Sequence, residues 1–268
     1  RISRAQSMDV LSSMATLAGY KAVLMGASAS PRMFPLLMTA AGTLQPARVL
    51  IMGVGVAGLQ ACATAKRLGA VVEAYDVRPA AREQILSVGA KPVELDLDTG
   101  ESEGVGGYAK AQGEDFLQRQ RELMTAVVAE QDIIITTAAI PGAKSPILVT
   151  EDMVVAMKPG SVIVDLAAER GGNCDLTEQG QTIVAHGVTI IGPENVPSDL
   201  PYHASQMYGK NMETLLALIL SDNGELELNF DDEIVAGTVV AHHGEIPHGH
   251  MRKLLDLPEL NTTESEKD

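Results

Sequence analysis

Residues 47–76 read ARVLIMGVGVAGLQACATAKRLGAVVEAYD. Six apolar-rich residues (47–52) make a buried strand, six glycine-rich ones (53–58) a turn, 56–68 a helix stopped by Gly69, and 71–75 a second strand. The turn is GxGxxG. Alone, six such residues are no more than a turn, but a strand before and a helix after are what dinucleotide binding requires. Gly53 permits the tight turn, Gly55 lets the backbone approach a pyrophosphate, and Gly58 lets helix and strand pack closely. The helix N-terminus, with Val54 and Val56 beside Gly55, offers free N–H groups to the anion. Asp76 ends the second strand, 23 residues after Gly53. Its carboxylate can accept hydrogen bonds from both hydroxyls of an adenosine ribose and would repel a 2′-phosphate, which favours NAD over NADP. Arg78, two residues on, could meet such a phosphate but stands farther from the ribose.

Working outward, the alternation continues. Helices are expected over 5–26, 31–40, 79–88, 108–130, 150–157 and 203–221, and strands over 91–95, 132–137, 161–165 and 188–192. Continuous apolar strands alternating with helices predict an α/β fold: a Rossmann-type, doubly wound parallel sheet covered on both faces. The acidic, glycine-rich stretch 96–107 reads as a mobile loop. After 221 the chain holds twelve acids against three Lys/Arg. That tail shows two strand-like patches, 225–230 and 234–241, and an end (256–268) expected to be disordered.

The net charge of −15 argues against nucleic acid and against adhesion to anionic lipid. Two cysteines make no disulfide framework, and a reduced compartment is the default. No run of 18 apolar residues is present to insert into a bilayer, and no signal peptide is visible. Cys62 lies on the fingerprint helix and reads as core. Cys174 reads as a packed small residue rather than a nucleophile, having no histidine near it in sequence. His242, His243, His248 and His250 lack constrained ligand spacing, so no metal site is assigned. Tyr108, after two glycines, is by itself a surface aromatic. The polar start, RISRAQSMDVLSS, is by itself a capped helix beginning.

Several ordered blocks, however, resemble one family: RAQSMDVLSS, GYKAVLMGA, MTAAGT, GVGVAGLQA, ATAKRLGA, GGYAK, DIIITTAAIPG, MKPGSVIVDLA and GGNC. They are similar to the NAD(H)-binding component of proton-translocating NAD(P) transhydrogenase, from Arg1 to about residue 220 and more weakly through DDEIVAGTVV. The resemblance implies that the RAQSMD segment sits over the nicotinamide. Gln6 would orient the ring for hydride departure, as the residue closest to catalytic. Asp9 and Ser12 would hold the nicotinamide side, and Arg1 the loop itself. Gly53, Val54, Gly55, Val56 and Gly58 match the pyrophosphate contacts, and Asp76, Val77 and Arg78 the adenosine contacts. Gly107 and Tyr108 match a loop that closes on nucleotide. Gln120 and Ala139 match further cofactor contacts, Ala139 being smaller than its usual counterpart.

By the same resemblance the cofactor is NAD(H), and the partners are an NADP-binding component and a membrane-spanning component. The chain is expected to form a homodimer, to insert into no membrane itself, and to lie on a cytoplasmic or matrix face peripheral to a membrane complex. The family has a first subdomain before RAQSMD, so the chain, opening on Arg1, reads as a fragment. Its parts are 1–45, interdomain helices with the nicotinamide-side loop; 46–202, the Rossmann domain; 203–221, a closing helix; and 222–268, an acidic tail or linker. Two rival readings stand beside this one: an alanine dehydrogenase-like oxidoreductase, against which RAQSMD, GGYAK and Glu169 argue, and a non-catalytic NAD(H)-sensing module.

Overall fold

The computed structural model describes residues 2–95, 113–139 and 143–258. The expected loop 96–107 and the start of the expected helix at 108 lie outside the described residues, as does most of the expected disordered end. A 3-10 turn, Ser3–Met8, precedes α1 (Val10–Ala29). A short hairpin follows, β1 (Leu37–Thr39) and β2 (Gly42–Leu44). Then come β3 (Arg48–Met52), α2 (Val56–Arg67), β4 (Val71–Tyr75), α3 (Ala81–Ser87) and β5 (Lys91–Pro92). The second half has α4 (Glu114–Ala129), β6 (Ile133–Thr136), α5 (Glu151–Ala156), β7 (Val162–Asp165), β8 (Thr182–Ala185) and β9 (Val188–Ile191). Among the described residues three helices follow: α6 (Pro201–Ile219), α7 (Glu233–Thr238) and α8 (Gly249–Leu254).

The main sheet runs β5-β4-β3-β6-β7-β9-β8. The central strands β3, β6 and β7 are apolar over almost their whole length, so alternate side chains point to opposite faces and both faces are buried. Val49, Ile51, Ile133, Ile135 and Val164 face α1, α2 and α3 through Ala22, Val23, Ala61, Cys62 and Ile85. Leu50, Met52, Ile134 and Ile163 face α4 and α5 through Met124, Val128, Met153 and Val154. This is the expected doubly wound Rossmann-type arrangement. Small residues let α1 come close to α2: a Cβ on Gly19 would run into the Ala57 carbonyl. By length and mean hydropathy, 1.2, α1 passes as a bilayer-spanning helix; here its face of Leu17, Gly19, Ala22, Val23 and Gly26 is buried.

Four expectations are corrected. The stretch 31–40 is not a helix but leads into the β1–β2 hairpin. Pro31 and Pro35 interrupt any helical ladder, and the Thr39 hydroxyl accepts from Ala41 N–H while donating to Gly42 O. The sheet is not wholly parallel, because β8 pairs antiparallel with β9. His186 (φ 51°) and Gly187 (φ 79°) form their turn, both in the left-handed region that a two-residue hairpin needs. In the tail, 234–241 is no strand; it falls mainly on α7, capped by Asp232, which accepts from Ile234 N–H at 2.8 Å. Residues 225–230 form no strand beyond an isolated bridge between Leu220 and Leu226.

The chain divides into two compact units, Val10–Tyr208 and a second made of Ile2–Asp9 with the described residues from Gly209 onward. The second unit is held by contacts remote in sequence. Arg4 donates to Asp232 at 2.6 Å, and the buried Asn211 amide donates to Ser7 O at 2.8 Å.

Candidate functional site

The strand order reverses between β3 and β6, since the chain builds outward to β5 and returns on the other side of β3. Ligands of doubly wound sheets bind at such a switch point, outside the carboxyl ends of the strands. The glycine turn lies there. Gly53 takes φ 92°, which an L side chain rarely adopts, and its N–H donates to Tyr75 O at 2.9 Å. A Cβ on Gly58 would strike the Gly53 carbonyl, while a Cβ on Gly55 would meet nothing within 4 Å. Gly55 thus leaves open backbone at the N-terminus of α2, where no side chain caps the helix. That is the cradle a pyrophosphate needs. Val54 is fully buried, and contrary to expectation its N–H is not free: it donates to Asp76, while its carbonyl accepts from Arg78.

Asp76 does more than the sequence predicts. Its Oδ2 accepts from Val54 N–H at 2.7 Å, fixing the glycine turn to the end of β4. Its Oδ1 accepts from Arg78 N–H at 2.9 Å and Arg78 Nε at 2.8 Å. The same guanidinium donates to Asp76 Oδ2 at 2.9 Å and to Val54 O at 3.0 Å. The two side chains are 6% and 13% exposed. The carboxylate is therefore engaged inside the protein, and ribose hydroxyls would have to share it with Arg78 or replace that guanidinium. Val77 packs at the edge of the core on the α4–α5 face.

On the other side of the switch point, the Thr137 hydroxyl donates to Gly53 O at 2.8 Å. Ala138 N lies 2.8 Å from where a Gly53 Cβ would stand, and Ala139 next to it is exposed. Gln120 is buried, and so is Tyr75 beside it; the Tyr75 hydroxyl and both Gln120 amide atoms have no hydrogen-bond partner among the described residues. Such atoms are what a bound polar group or water satisfies. Burial pushes the Tyr75 hydroxyl up to about 12; the neighbouring Gln120 amide pulls the other way though it forms no well-aligned hydrogen bond to it, so the hydroxyl stays neutral.

Of the N-terminal segment, Ile2–Asp9 falls in the second unit and Ser12 in the first. The 3-10 turn presents Gln6 exposed, and Asp9 closes it through Asp9 N–H to Gln6 O at 3.3 Å. Ser12 lies in the first turn of α1, its carbonyl accepting from Thr16. Arg1, Gly107 and Tyr108 lie outside the described residues. Cys62 and Cys174 are buried, and burial lifts them to about 12 and about 11, which leaves both as unreactive thiols at neutral pH. Of the tail histidines, His248 caps α8 by accepting from Met251 N–H. No group of three or more His, Cys, Asp or Glu side chains is placed to hold a metal among the described residues.

Sequence reasoning missed three groups at this end of the sheet: Thr137, Asp165 and Asn173. Asp165 and Asn173 are both fully buried. Asp165 gave a visible signal, an acid ending an apolar strand just as Asp76 does. Thr137 and Asn173 gave none, since their partners lie 84 and 35 residues away.

Residues 22–249 match the profile of the alanine dehydrogenase/PNT C-terminal domain family. The chain is 54% identical over 250 residues to a Rhodospirillum rubrum protein named as the first part of NAD(P) transhydrogenase subunit alpha, covering 92% of this chain and 65% of that one. It superposes on the crystal structure of transhydrogenase from Sinorhizobium meliloti with TM-score 0.80 and 48% identity, covering 92% and 65%. A more distant relative, alanine dehydrogenase 2 of Staphylococcus aureus (strain USA300), is 29% identical over 83% of this chain and 56% of its own. The chain thus spans less than two thirds of these relatives' length.

Proposed function

We propose, from the premise that this chain belongs to the alanine dehydrogenase/PNT C-terminal domain family, that it is the NAD(H)-binding component of a proton-translocating transhydrogenase. The observation that carries it is the glycine turn at the switch point, open at Gly55 and tied to Asp76. The higher identity to a transhydrogenase subunit, 54% against 29% for an alanine dehydrogenase, favours this member of the family over the dehydrogenase.

When bound, NADH supplies a hydride from C4 of its dihydronicotinamide to NADP⁺ on a partner component, one ring being oxidised as the other is reduced. The residues of this chain exchange no proton in that reading. The α2 N-terminus and Gly55 receive the pyrophosphate. Asp76 holds the adenosine ribose, with Arg78 moved aside and Val77 flanking it. Gln120 and Ala139 line the same end of the sheet. Gln6, with Asp9 and Ser12, orients the nicotinamide; these three, like Arg1, Gly107 and Tyr108, are assigned by resemblance alone. Catalysis is then positioning, which brings the reacting carbons to about 3–3.5 Å. The NADP-binding and membrane-spanning components, the homodimer and a cytoplasmic or matrix placement beside the membrane belong to the same proposal.

The test uses the protein carrying this chain together with its NADP-binding partner. Stopped-flow transfer from NADH to an NADP⁺ analogue is compared for the native form and Gln6→Asn, beside NADH affinity. Shortening the side chain should slow transfer at saturation far more than it weakens binding, since a displacement of about 1 Å can cost about a hundredfold. Turnover of NADH with pyruvate and ammonia, and none with the NADP⁺ analogue, would replace the proposal with the alanine dehydrogenase reading. Binding without either reaction would leave an NAD(H)-sensing module.

A further inference from the structure

The switch point beside the glycine turn has two lips. One is the β4 end with Asp76; the other is the β6 exit, Thr137–Ala138–Ala139. A loop end with an exposed Ala139 would ordinarily drift, yet the Ala138 backbone is held at both its N–H and its carbonyl by one side chain. Asn173 Oδ1 accepts from Ala138 N–H at 3.0 Å, and Asn173 Nδ2 donates to Ala138 O at 2.9 Å. The same Nδ2 also donates to Pro146 O at 2.8 Å. The backbone of Asn173 is pinned in turn: its N–H donates to Asp165 Oδ2 at 2.7 Å, and its carbonyl accepts from Leu148 and Val149 N–H at 2.8 and 2.9 Å.

Asp165 is the anchor beneath. Its Oδ1 accepts from the Thr136 hydroxyl and Ala167 N–H, its Oδ2 from Asn173 N–H, Cys174 N–H and the Thr177 hydroxyl. A buried carboxylate with five donors is a rigid point. The chain of contacts then runs from the end of β7, through Asn173, to Ala138 against Gly53 at the end of β3.

We infer that Asn173 is a positioning residue for the dinucleotide: its amide, braced by Asp165, sets where the β6 lip stands relative to the glycine turn. The inference rests on the proposed NAD(H) reading. A dinucleotide entering at Asp76 crosses the switch point toward β6, so the half beyond the pyrophosphate meets this lip while the adenosine half does not. Removing the amide frees the Ala138 peptide and moves the lip, leaving the Asp76 side in place.

The experiment measures NADH and AMP affinity by calorimetry, with a thermal melt, on the native protein, Asn173→Ala and a control, Thr177→Val. The control removes one donor to Asp165 without touching Ala138. Asn173→Ala should weaken NADH about tenfold, the scale of one or two lost hydrogen bonds, while AMP stays within about twofold; Thr177→Val should alter neither ratio. If Asn173→Ala does not fold, Asn173→Ser is read in its place, since its hydroxyl cannot span both sides of the Ala138 peptide. Parallel loss of NADH and AMP, unchanged NADH, or failure of both variants to fold would each reduce Asn173 to a core residue and overturn the inference. A native protein that binds neither nucleotide overturns the proposed function instead.

Discussion

In the proposed reading, Asp76 has two roles that compete for one carboxylate. It stabilises the glycine turn through Val54 N–H and pairs with Arg78, both side chains nearly out of solvent. With nucleotide it must also receive ribose hydroxyls. Binding would then share the carboxylate with Arg78 or exchange the guanidinium–carboxylate contact for hydroxyl–carboxylate bonds. Asp76→Asn should therefore do two things. It should lower NADH affinity by about 1–3 kcal/mol, the cost of hydrogen bonds to a charged group. It should also lower the unfolding free energy, because Arg78 is left facing a neutral amide beside Val54 O. Calorimetry with NADH and NADPH, beside urea unfolding, separates the two. The native protein should prefer NADH, and the variant should lose most of that preference. Equal native affinities would remove Asp76 from the selectivity argument. An affinity loss with stability intact would show that Arg78 has another acceptor.

Elements are legible in the sequence where the physics is local. The strand at 48–52, the helix at 56–67 and the strand at 71–75 each carry their own period and stop signal, and sequence and structure agree on them within a residue. The β8–β9 hairpin also leaves a local mark, since TIVAHGVTII places two apolar-rich runs around a His-Gly pair. The expectation that parallel strands alternate with helices hides it. The tail misleads because Glu233–Thr238 holds β-branched residues that look strand-like, while its helix depends on a cap and a distant partner. Asp232 caps α7 and also pairs with Arg4, 228 residues away. Hydrogen bonding to Arg4 and to Ile234 N–H holds the Asp232 carboxyl below its usual 3.8. A depressed acid stabilises the fold fully above that usual value, and the contribution is lost as pH falls below it through the folded value. The hydrogen bond to Asp232 raises the Arg4 guanidinium further, so it stays charged throughout. The Ile234 amide resonance should consequently titrate with a midpoint below 3.8, and Arg4→Gln should move that midpoint upward. A midpoint unchanged by Arg4→Gln would mean the ion pair contributes nothing to the cap.

At the scale of the molecule, the first unit has one sheet serving two cores. That is readable in sequence, since continuously apolar strands have no solvent face. The second unit is not readable as a unit. It joins Ile2–Asp9 to residues beyond Gly209 through polar contacts such as Asn211 to Ser7 O, which leave no periodicity in either segment. The shared sheet makes a specific claim about cooperativity. Ile51 packs on the α1–α2 face and Ile134 on the α4–α5 face, both fully buried in neighbouring strands at the register Ile51–Ile135 and Leu50–Ile134. Truncating either to Ala should cost about 2–5 kcal/mol. Because both strands belong to both faces, neither truncation should loosen one face alone. Hydrogen exchange of α2 and α5 amides should then accelerate together in Ile51→Ala and in Ile134→Ala. NADH at about a hundred times its dissociation constant should restore about 2.7 kcal/mol in each, since linkage depends on occupancy and not on which face was damaged. Exchange that accelerates only on the mutated side would mean that the faces open separately. The crevice at the switch point, which draws its two lips from β4 and β6, would then lack the common frame that the nucleotide reading requires.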